Sequence, residues 1–399
     1  MKILMVAPEP FFQPRGTPFS VYHRLEALSK LGHQVDLVTY PLGKDVFIDQ
    51  VEIYRSWKPP FVKRVKIGPS LLKPILDIFL FIKALALLMK KKYDCIHTHE
   101  EGTFLGAALN RIFRYPHVYD MHSSLPEQFL NFGIIRSHRI IRYLELFERW
   151  ALKYSSIVIA ICPYLQEKIG RIMPDKKTVL IENIPNLTED AFLGKDEEVK
   201  RLRKELNLEH QLVILYTGTL ETYQGIDLLL ESARYVTRHF KDVKFLLVGG
   251  TEDQMKTLLE LADSLGVRES VLFTGQRPVE EMPSFIQLAD ILVSPRKTGT
   301  NTPLKIYTYL SSGKPIVATN LLTHTQALNP DVAILTEPNP KDFARGILKL
   351  IQDPSLRARL GQNALKLSKT KYSYEVYLSR TAEVYDYILV NSKRWMSCK

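Results

Sequence analysis

Cysteine is scarce in this chain of 399 residues. Its three cysteines, Cys95, Cys162 and Cys398, have no metal-ligand spacing and form no even framework. That excludes a disulfide-stapled scaffold and a zinc ribbon. Cys95 and Cys162 lie in apolar runs and read as buried thiols in a reducing compartment. Long apolar runs are also missing. The densest, Ile78 to Met89, is broken by Lys83 and falls short of the roughly 20 residues that span a bilayer. Met1 to Val6 is followed at once by Pro8 and Pro10, which suits a first strand better than a signal-peptide core, so a cytoplasmic protein is expected. There is no Gly-x-Ser-x-Gly elbow, no Walker loop, no complete dinucleotide fingerprint and no short-period repeat.

What is present is positive charge, unevenly spread. The net charge is +11. Residues 1–185 hold 26 Lys and Arg against 17 Asp and Glu, while residues 186–399 hold 28 against 26. The excess therefore belongs to the first half. It is either solvated surface or a face toward something anionic, a membrane surface or nucleic acid. Aromatic and basic residues do not interleave as single-strand binding needs, so nucleic acid is not an expected partner. Lys73 to Lys92 holds the Ile78–Met89 run and ends in Lys90-Lys-Lys92. It reads as a buried crossover helix or as an interfacial helix with basic ends. Upstream Lys63-Arg64-Val65-Lys66 favours the second, with an anionic membrane surface as partner and peripheral attachment to the inner face of the membrane.

The order of apolar runs sets the fold class. Ile3 to Ala7, Val35 to Tyr40, Cys95-Ile96, His117 to Tyr119 and Ile157 to Ile161 read as strands. Val21, Leu25, Leu28 and Leu31 fall at helical spacing before Gly32-His33. A second series follows: Val213 to Tyr216, Phe245 to Val248, Val271 to Phe273, Ile291 to Val293 and Ile316 to Ala318. Strands alternating with helices argue for parallel, doubly wound sheets, and two series argue for two α/β Rossmann-like domains. The turn formers of Glu182-Asn-Ile-Pro-Asn186 place the boundary, giving domains 1–185 and 186–373. A last helix, from about 374, carries Tyr377, Leu378, Val384, Tyr385, Ile388 and Leu389 on one broad side.

Polar residues gather where strands end. Ser294-Pro-Arg-Lys-Thr-Gly-Thr-Asn-Thr-Pro-Leu-Lys305 joins an apolar run to a helix-like segment. Free N–H groups and the helix dipole at such a place favour phosphate, and Arg296 and Lys305 flank it. Gly218-Thr-Leu-Glu-Thr-Tyr-Gln-Gly225 repeats the strand–glycine–helix plan. So does Phe12-Gln-Pro-Arg-Gly-Thr-Pro-Phe-Ser20, where Gly16 permits close approach of a ligand beside Arg15 and Thr17. His122, in Tyr119-Asp-Met-His-Ser-Ser124, follows a strand and reads as functional. His97 and His99 would share one strand face, but no third ligand is evident, so no metal is expected.

The segment from Pro303-Leu-Lys305 through Tyr309, Gly313-Lys-Pro315 and Ile316-Val-Ala-Thr319 resembles the donor-binding segment of family-four glycosyltransferases, which have the GT-B fold. The resemblance is strong from Val213 to Thr319 and moderate from Met1 to Ser124. It implies two Rossmann-like domains facing across a cleft, the last helix crossing back to the first. It implies transfer of a hexosyl group from a nucleoside-diphosphate sugar to a glycan or lipid-linked acceptor, with retention, and no cofactor. His122 would lie against the reacting sugar. Gly218, Thr219, Gln224, Arg296, Thr300, Asn301, Thr302, Lys305 and Thr308 would hold the donor, and Arg15, Gly16 and Thr17 would shape the acceptor side. The sequence departs from the pattern in the glycine loop, where Thr219 and Gln224 replace an arginine and a lysine. It departs again where Thr300 and Thr308 replace two glutamates. No Asp-x-Asp pair occurs, which agrees with GT-B, where protein groups replace the metal that other sugar transferases hold. A non-catalytic sugar-nucleotide or glycan-binding protein and a sugar-nucleotide epimerase remain as alternatives.

Overall fold

A computed structural model describes all residues except 14–15, 64, 66–69, 71, 132–136, 186, 188 and 398–399. The chain divides into two compact units, one of residues 1–183 with 374–399 and one of residues 184–373.

In the first unit the chain order is β1 (Lys2–Ala7), α1 (Gly16–Lys30), β2 (Gln34–Thr39), β3 (Val51–Arg55), α2 (Lys73–Lys90), β4 (Cys95–His99), α3 (Gly102–Phe113), β5 (His117–Met121), α4 (Leu125–Asn131), α5 (His138–Tyr154), β6 (Ile157–Ala160), α6 (Pro163–Ile172) and β7 (Thr178–Leu180). The seven strands form one parallel sheet in the order β3-β2-β1-β4-β5-β6-β7. Helices cover both faces, so central strands are buried on both sides and read as unbroken apolar runs. Residues Ile3 to Ala7 are fully buried for this reason. The strand order reverses between β1 and β4, so their carboxyl ends flank a crevice suited to ligands.

In the second unit the order is α7 (Asp196–Glu205), β8 (Leu212–Thr217), α8 (Ile226–His239), β9 (Val243–Val248), α9 (Glu252–Ser264), β10 (Val271–Gly275), α10 (Met282–Leu288), β11 (Ile291–Ser294), α11 (Leu304–Ser311), β12 (Ile316–Thr319), α12 (Leu322–Thr325), β13 (Ala333–Thr336), α13 (Pro340–Gln352) and α14 (Pro354–Lys371). Its six strands are parallel in the order β10-β9-β8-β11-β12-β13, and the reversal falls between β8 and β11. The loop ends are set by close backbone approach. Gly225 has φ +75°, and a Cβ there would lie 2.0 Å from the Pro295 carbonyl oxygen. Gly249 has φ +124°, and its Cβ would lie 2.0 Å from that of Gly218. No other residue type fits either place without moving backbone.

The last helix, α15 (Tyr374–Ser397), belongs to the first unit and packs on α1, β6 and β7. Its buried side is Tyr377, Thr381, Val384, Tyr385 and Ile388. Leu389, expected on that side, is exposed, and a polar Thr381 takes part instead. The structure shows both a buried and an exposed side for the helix of Lys73–Lys92. Helix α2 is the crossover from β3 to β4, with Leu76, Leu80, Ala84 and Leu87 in the core, yet Ile78 and Ile82 face outward. Among the described residues no helix is long and apolar enough to cross a membrane.

Candidate active site

The carboxyl ends of β8 and β11 bring the expected donor residues together. Tyr309 of α11 pins the end of β8, its hydroxyl lying 3.0 Å from the Thr217 amide and 3.1 Å from Thr217 Oγ1. The Tyr216 hydroxyl donates to the Thr219 carbonyl at 2.6 Å and fixes the turn after Gly218. Lys305, in the first turn of α11, sets its ammonium 3.7 Å from the centre of the Tyr216 ring. It donates to Gln224 Oε1 at 3.4 Å. Arg296 lies over the Tyr223 ring and donates to the Asn301 carbonyl at 3.1 Å and Thr323 Oγ1 at 3.0 Å. Burial lowers the pKa of both cations, and Arg296 pushes Lys305 further, well below an ordinary lysine.

Neither cation has a carboxylate partner among the described residues, whereas Lys297 nearby pairs with Asp227 at 2.6 Å. Arg296 Nε and the buried Thr302 Oγ1 also have no hydrogen-bond partner. The loop that carries them is nonetheless ordered. Thr323 donates to the Asn301 carbonyl at 2.6 Å and Gln326 to the Thr300 carbonyl at 2.7 Å. His324 bonds Ser294 Oγ at 2.8 Å and the Thr319 carbonyl at 2.9 Å. Burial drops its pKa to about 3, so it is neutral and acts as a clamp between the ends of β11 and β12. Thr308 is buried on α11.

In the first unit His122 is buried at the end of β5, deeper than a strand-end position suggests. The reason is Asp120, two residues back on the same strand face. Asp120 is the centre of a buried charge cluster. Arg24 Nε lies 3.0 Å from it, His122 Nε2 3.1 Å, His97 Nε2 3.5 Å and His99 Nδ1 3.6 Å. Burial would raise the Asp120 pKa, but Arg24 and His122 hold it well below the usual carboxylate range. Burial would lower that of His122, but Asp120, helped by Glu100, raises it. His97 and His99 are both lowered by burial, His99 strongly. The cluster therefore favours a proton on His122 over one on His97 or His99.

Helix α15 closes the cluster from below. Thr381 Oγ1 accepts from Arg24 at 2.7 Å, Tyr377 lies under the guanidinium, and the Tyr385 hydroxyl is 2.6 Å from His97 Nδ1. On the open side, Glu100 accepts from Thr17 Oγ1 at 3.4 Å, Ser123 Oγ at 3.4 Å and Gln128 Nε2 at 3.1 Å. Gly16 is exposed with free space where a Cβ would stand. Arg15 lies outside the described residues. Arg24 and Asp120 are site residues that no motif marks in the sequence. An aspartate inside an apolar strand was the available signal, because a buried charge needs a partner.

The ligating atoms of His97, His99 and Asp120 lie within 4.8 Å of one another. Arg24 already occupies Asp120, so a cation there would face a guanidinium at close range.

Two family models divide the chain between them. Residues 14–188 match Glycosyltransferase Family 4, and residues 198–367 match Glycosyl transferases group 1. The chain is a family-four glycosyltransferase. An uncharacterized glycosyltransferase of Methanocaldococcus jannaschii is 28% identical over 96% of this chain and 98% of its own length. Among solved structures, sucrose-phosphate synthase from Thermosynechococcus elongatus is similar with a TM-score of 0.77 and 18% identity, over 98% of this chain and 99% of that one. Anabaena HepE in complex with UDP-glucose has a TM-score of 0.74 and 19% identity, over 97% and 99%. These likenesses, with the two parallel sheets, make the fold of this glycosyltransferase GT-B.

Proposed function

We propose that this glycosyltransferase moves a hexosyl group from a nucleoside-diphosphate sugar to a glycan or lipid-linked acceptor, with retention at the anomeric carbon and without a bound metal. One observation carries the reading. Lys305 at the start of α11 and Arg296 on the loop before it have no carboxylate partner among the described residues, and Arg296 Nε and Thr302 Oγ1 have no hydrogen-bond partner there. Partly buried cations without anions cost free energy that a bound anion returns. The place is also the strand-order reversal of its sheet, where α/β domains take ligands. HepE, similar in fold, was crystallised with UDP-glucose.

In the transfer, the bond from the anomeric carbon to the phosphate oxygen breaks. An acceptor hydroxyl forms the new bond and passes its proton to the departing diphosphate. Negative charge gathers on the departing diphosphate. Lys305, Arg296 and the backbone amides near Thr219 and Asn301 would offset it. Gln224 and Thr308 add neutral hydrogen-bonding groups, as does Thr300, where the family's pattern has charges. His122, kept protonatable by Asp120, would position the reacting sugar, with Gly16 and Thr17 on the acceptor side.

Thermal-shift titration with uridine, guanosine and adenosine diphosphate sugars tests the donor reading. One nucleotide series should raise the melting temperature, equally with EDTA present. Product NMR should then show the donor's anomeric configuration retained. No shift with any nucleotide, or a shift that needs Mg²⁺, would overturn the donor site. An inverted product would overturn retention alone.

A further inference from the structure

The outer surface of the first unit has an unusual composition. Helices α2, α3 and α5 lie side by side. Helices α2 and α3 share one core cluster, while Phe104 of α3 meets Phe147 of α5 and Asn110 donates to the Tyr154 carbonyl at 3.0 Å. Their outward faces are not polar. Ile78 and Ile82 on α2, Ile112 on α3, and Tyr143, Leu146 and Phe147 on α5 are each between 53% and 65% exposed. The second unit, of similar size, exposes only Leu193, Tyr235 and Leu322 among its described large apolar residues. Clustered exposure of this kind marks a surface that meets something.

The charges on the same face say what. Arg111, Arg139, Arg142, Arg149 and Lys153 are exposed there, against the single exposed carboxylate Glu145. The other acids of these helices are turned inward: Asp77 accepts from the Tyr40 hydroxyl at 2.6 Å, and Glu148 is buried and accepts from the Leu125 amide. On α5, Arg139 and Arg142 each precede an apolar residue, Ile140 and Tyr143, by one position, and Arg149 follows Leu146 by three, so cations border the apolar stripe along its length. A cationic border around apolar and aromatic side chains suits an anionic lipid surface, where the apolar groups enter the headgroup boundary and the cations meet phosphates. A second protein copy would place these cations against themselves.

We propose that the α2–α3–α5 face docks this glycosyltransferase on an anionic membrane surface. The docking would bring a lipid-linked acceptor to the unit that carries His122, extending the function proposed above. The test needs no turnover, so its failure would leave sugar transfer standing. It is co-sedimentation of the whole chain with phosphatidylcholine vesicles, with and without phosphatidylglycerol, over a salt series. Binding should require phosphatidylglycerol and weaken as salt rises. Arg139→Ala with Arg142→Ala should reduce partitioning roughly fivefold per cation. Tyr143→Ser with Leu146→Ser should abolish it at an unchanged melting temperature, since both side chains are exposed. No binding at low salt, or binding unaffected by both pairs, would overturn the proposal. So would a concentration-dependent dimer dissolved by the serine pair, which would make this face a contact between copies.

Discussion

Lys305→Ala separates a ligand-binding cation from a structural one. In the free protein the ammonium has two contacts, the Tyr216 ring face at 3.7 Å and Gln224 Oε1 at 3.4 Å. A cation on an aromatic face contributes about 0.5–2 kcal/mol, and a 3.4 Å hydrogen bond adds little. Against this stands the cost of holding a partly buried ion with no carboxylate, which amounts to several kcal/mol for a fully desolvated one. The two nearly cancel, so the variant should keep its stability within about 1 kcal/mol or gain slightly. With a diphosphate bound, the same ammonium makes a charge-assisted hydrogen bond contributing about 1–3 kcal/mol. Its loss should weaken UDP or its counterpart by about 5- to 150-fold. The pH dependence has two opposite signs. The folded pKa is lowered, so the unfolded chain binds more protons between that value and about 10.4, and stability of the free protein rises with pH across this window. A bound diphosphate favours the ammonium, so nucleotide affinity falls over the same window and binding takes up a proton. Calorimetry in buffers of different ionisation enthalpy measures the proton, and scanning calorimetry the stability. Unchanged affinity, or a melting temperature several degrees lower, would refute the reasoning.

His122→Ala should lower turnover sharply while costing less than about 2 kcal/mol of stability, because Arg24 still compensates Asp120; a variant that unfolds early yet keeps its specific activity would make His122 structural. Asp120→Asn should be far more damaging, about 3–5 kcal/mol by urea denaturation, since it leaves the buried Arg24 without an anion. The wild-type contribution of Asp120 is present above about pH 3.9 and lost as pH falls through its lower folded value, so the asparagine variant should lose less stability below about pH 4 than the wild type. Gly225→Ala should cost at least about 1–3 kcal/mol, from φ +75° and the Pro295 carbonyl in the Cβ position, and an unchanged urea midpoint would contradict that geometry.

Legibility in the sequence followed how many faces of an element are buried. Central strands such as Lys2–Ala7 and Val243–Val248 are covered on both sides, and their apolar runs stand out at once. The strands that sequence reasoning did not find are β3, β7 and β13, which lie at the sheet edges. Val51-Glu-Ile-Tyr-Arg55 is nowhere fully buried and carries two charges, as an edge tolerates. The site divides in the same way. Lys305, Arg296 and Gly218 were legible because a strand end, a loop and a helix start are contiguous in sequence. The cluster below His122 was not, because Arg24 meets Asp120 across 96 residues and Thr381 across 357. No local pattern records a contact made only when the last helix returns to the first unit.

The departures from the family pattern take on a physical sense beside these contacts. Two glutamates in this region would pair with, or partly cancel, the charge of Lys305 and Arg296. Thr300 and Thr308 do neither, and the glycine loop with Thr219 and Gln224 adds no cation of its own. The local balance therefore rests on two cations that have no carboxylate partner among the described residues. The loop does not need carboxylates to hold its shape. Its backbone is tied by Arg296 and Thr323 to the Asn301 carbonyl and by Gln326 to the Thr300 carbonyl. The same bonds explain why Arg296 offers only part of its guanidinium to a ligand. Nη1 is spent on the loop and Nε is left open. In the proposed donor site, phosphate recognition would fall mainly on Lys305, and discrimination among sugars on neutral hydroxyl and amide groups, whose hydrogen bonds are weaker than those to a carboxylate.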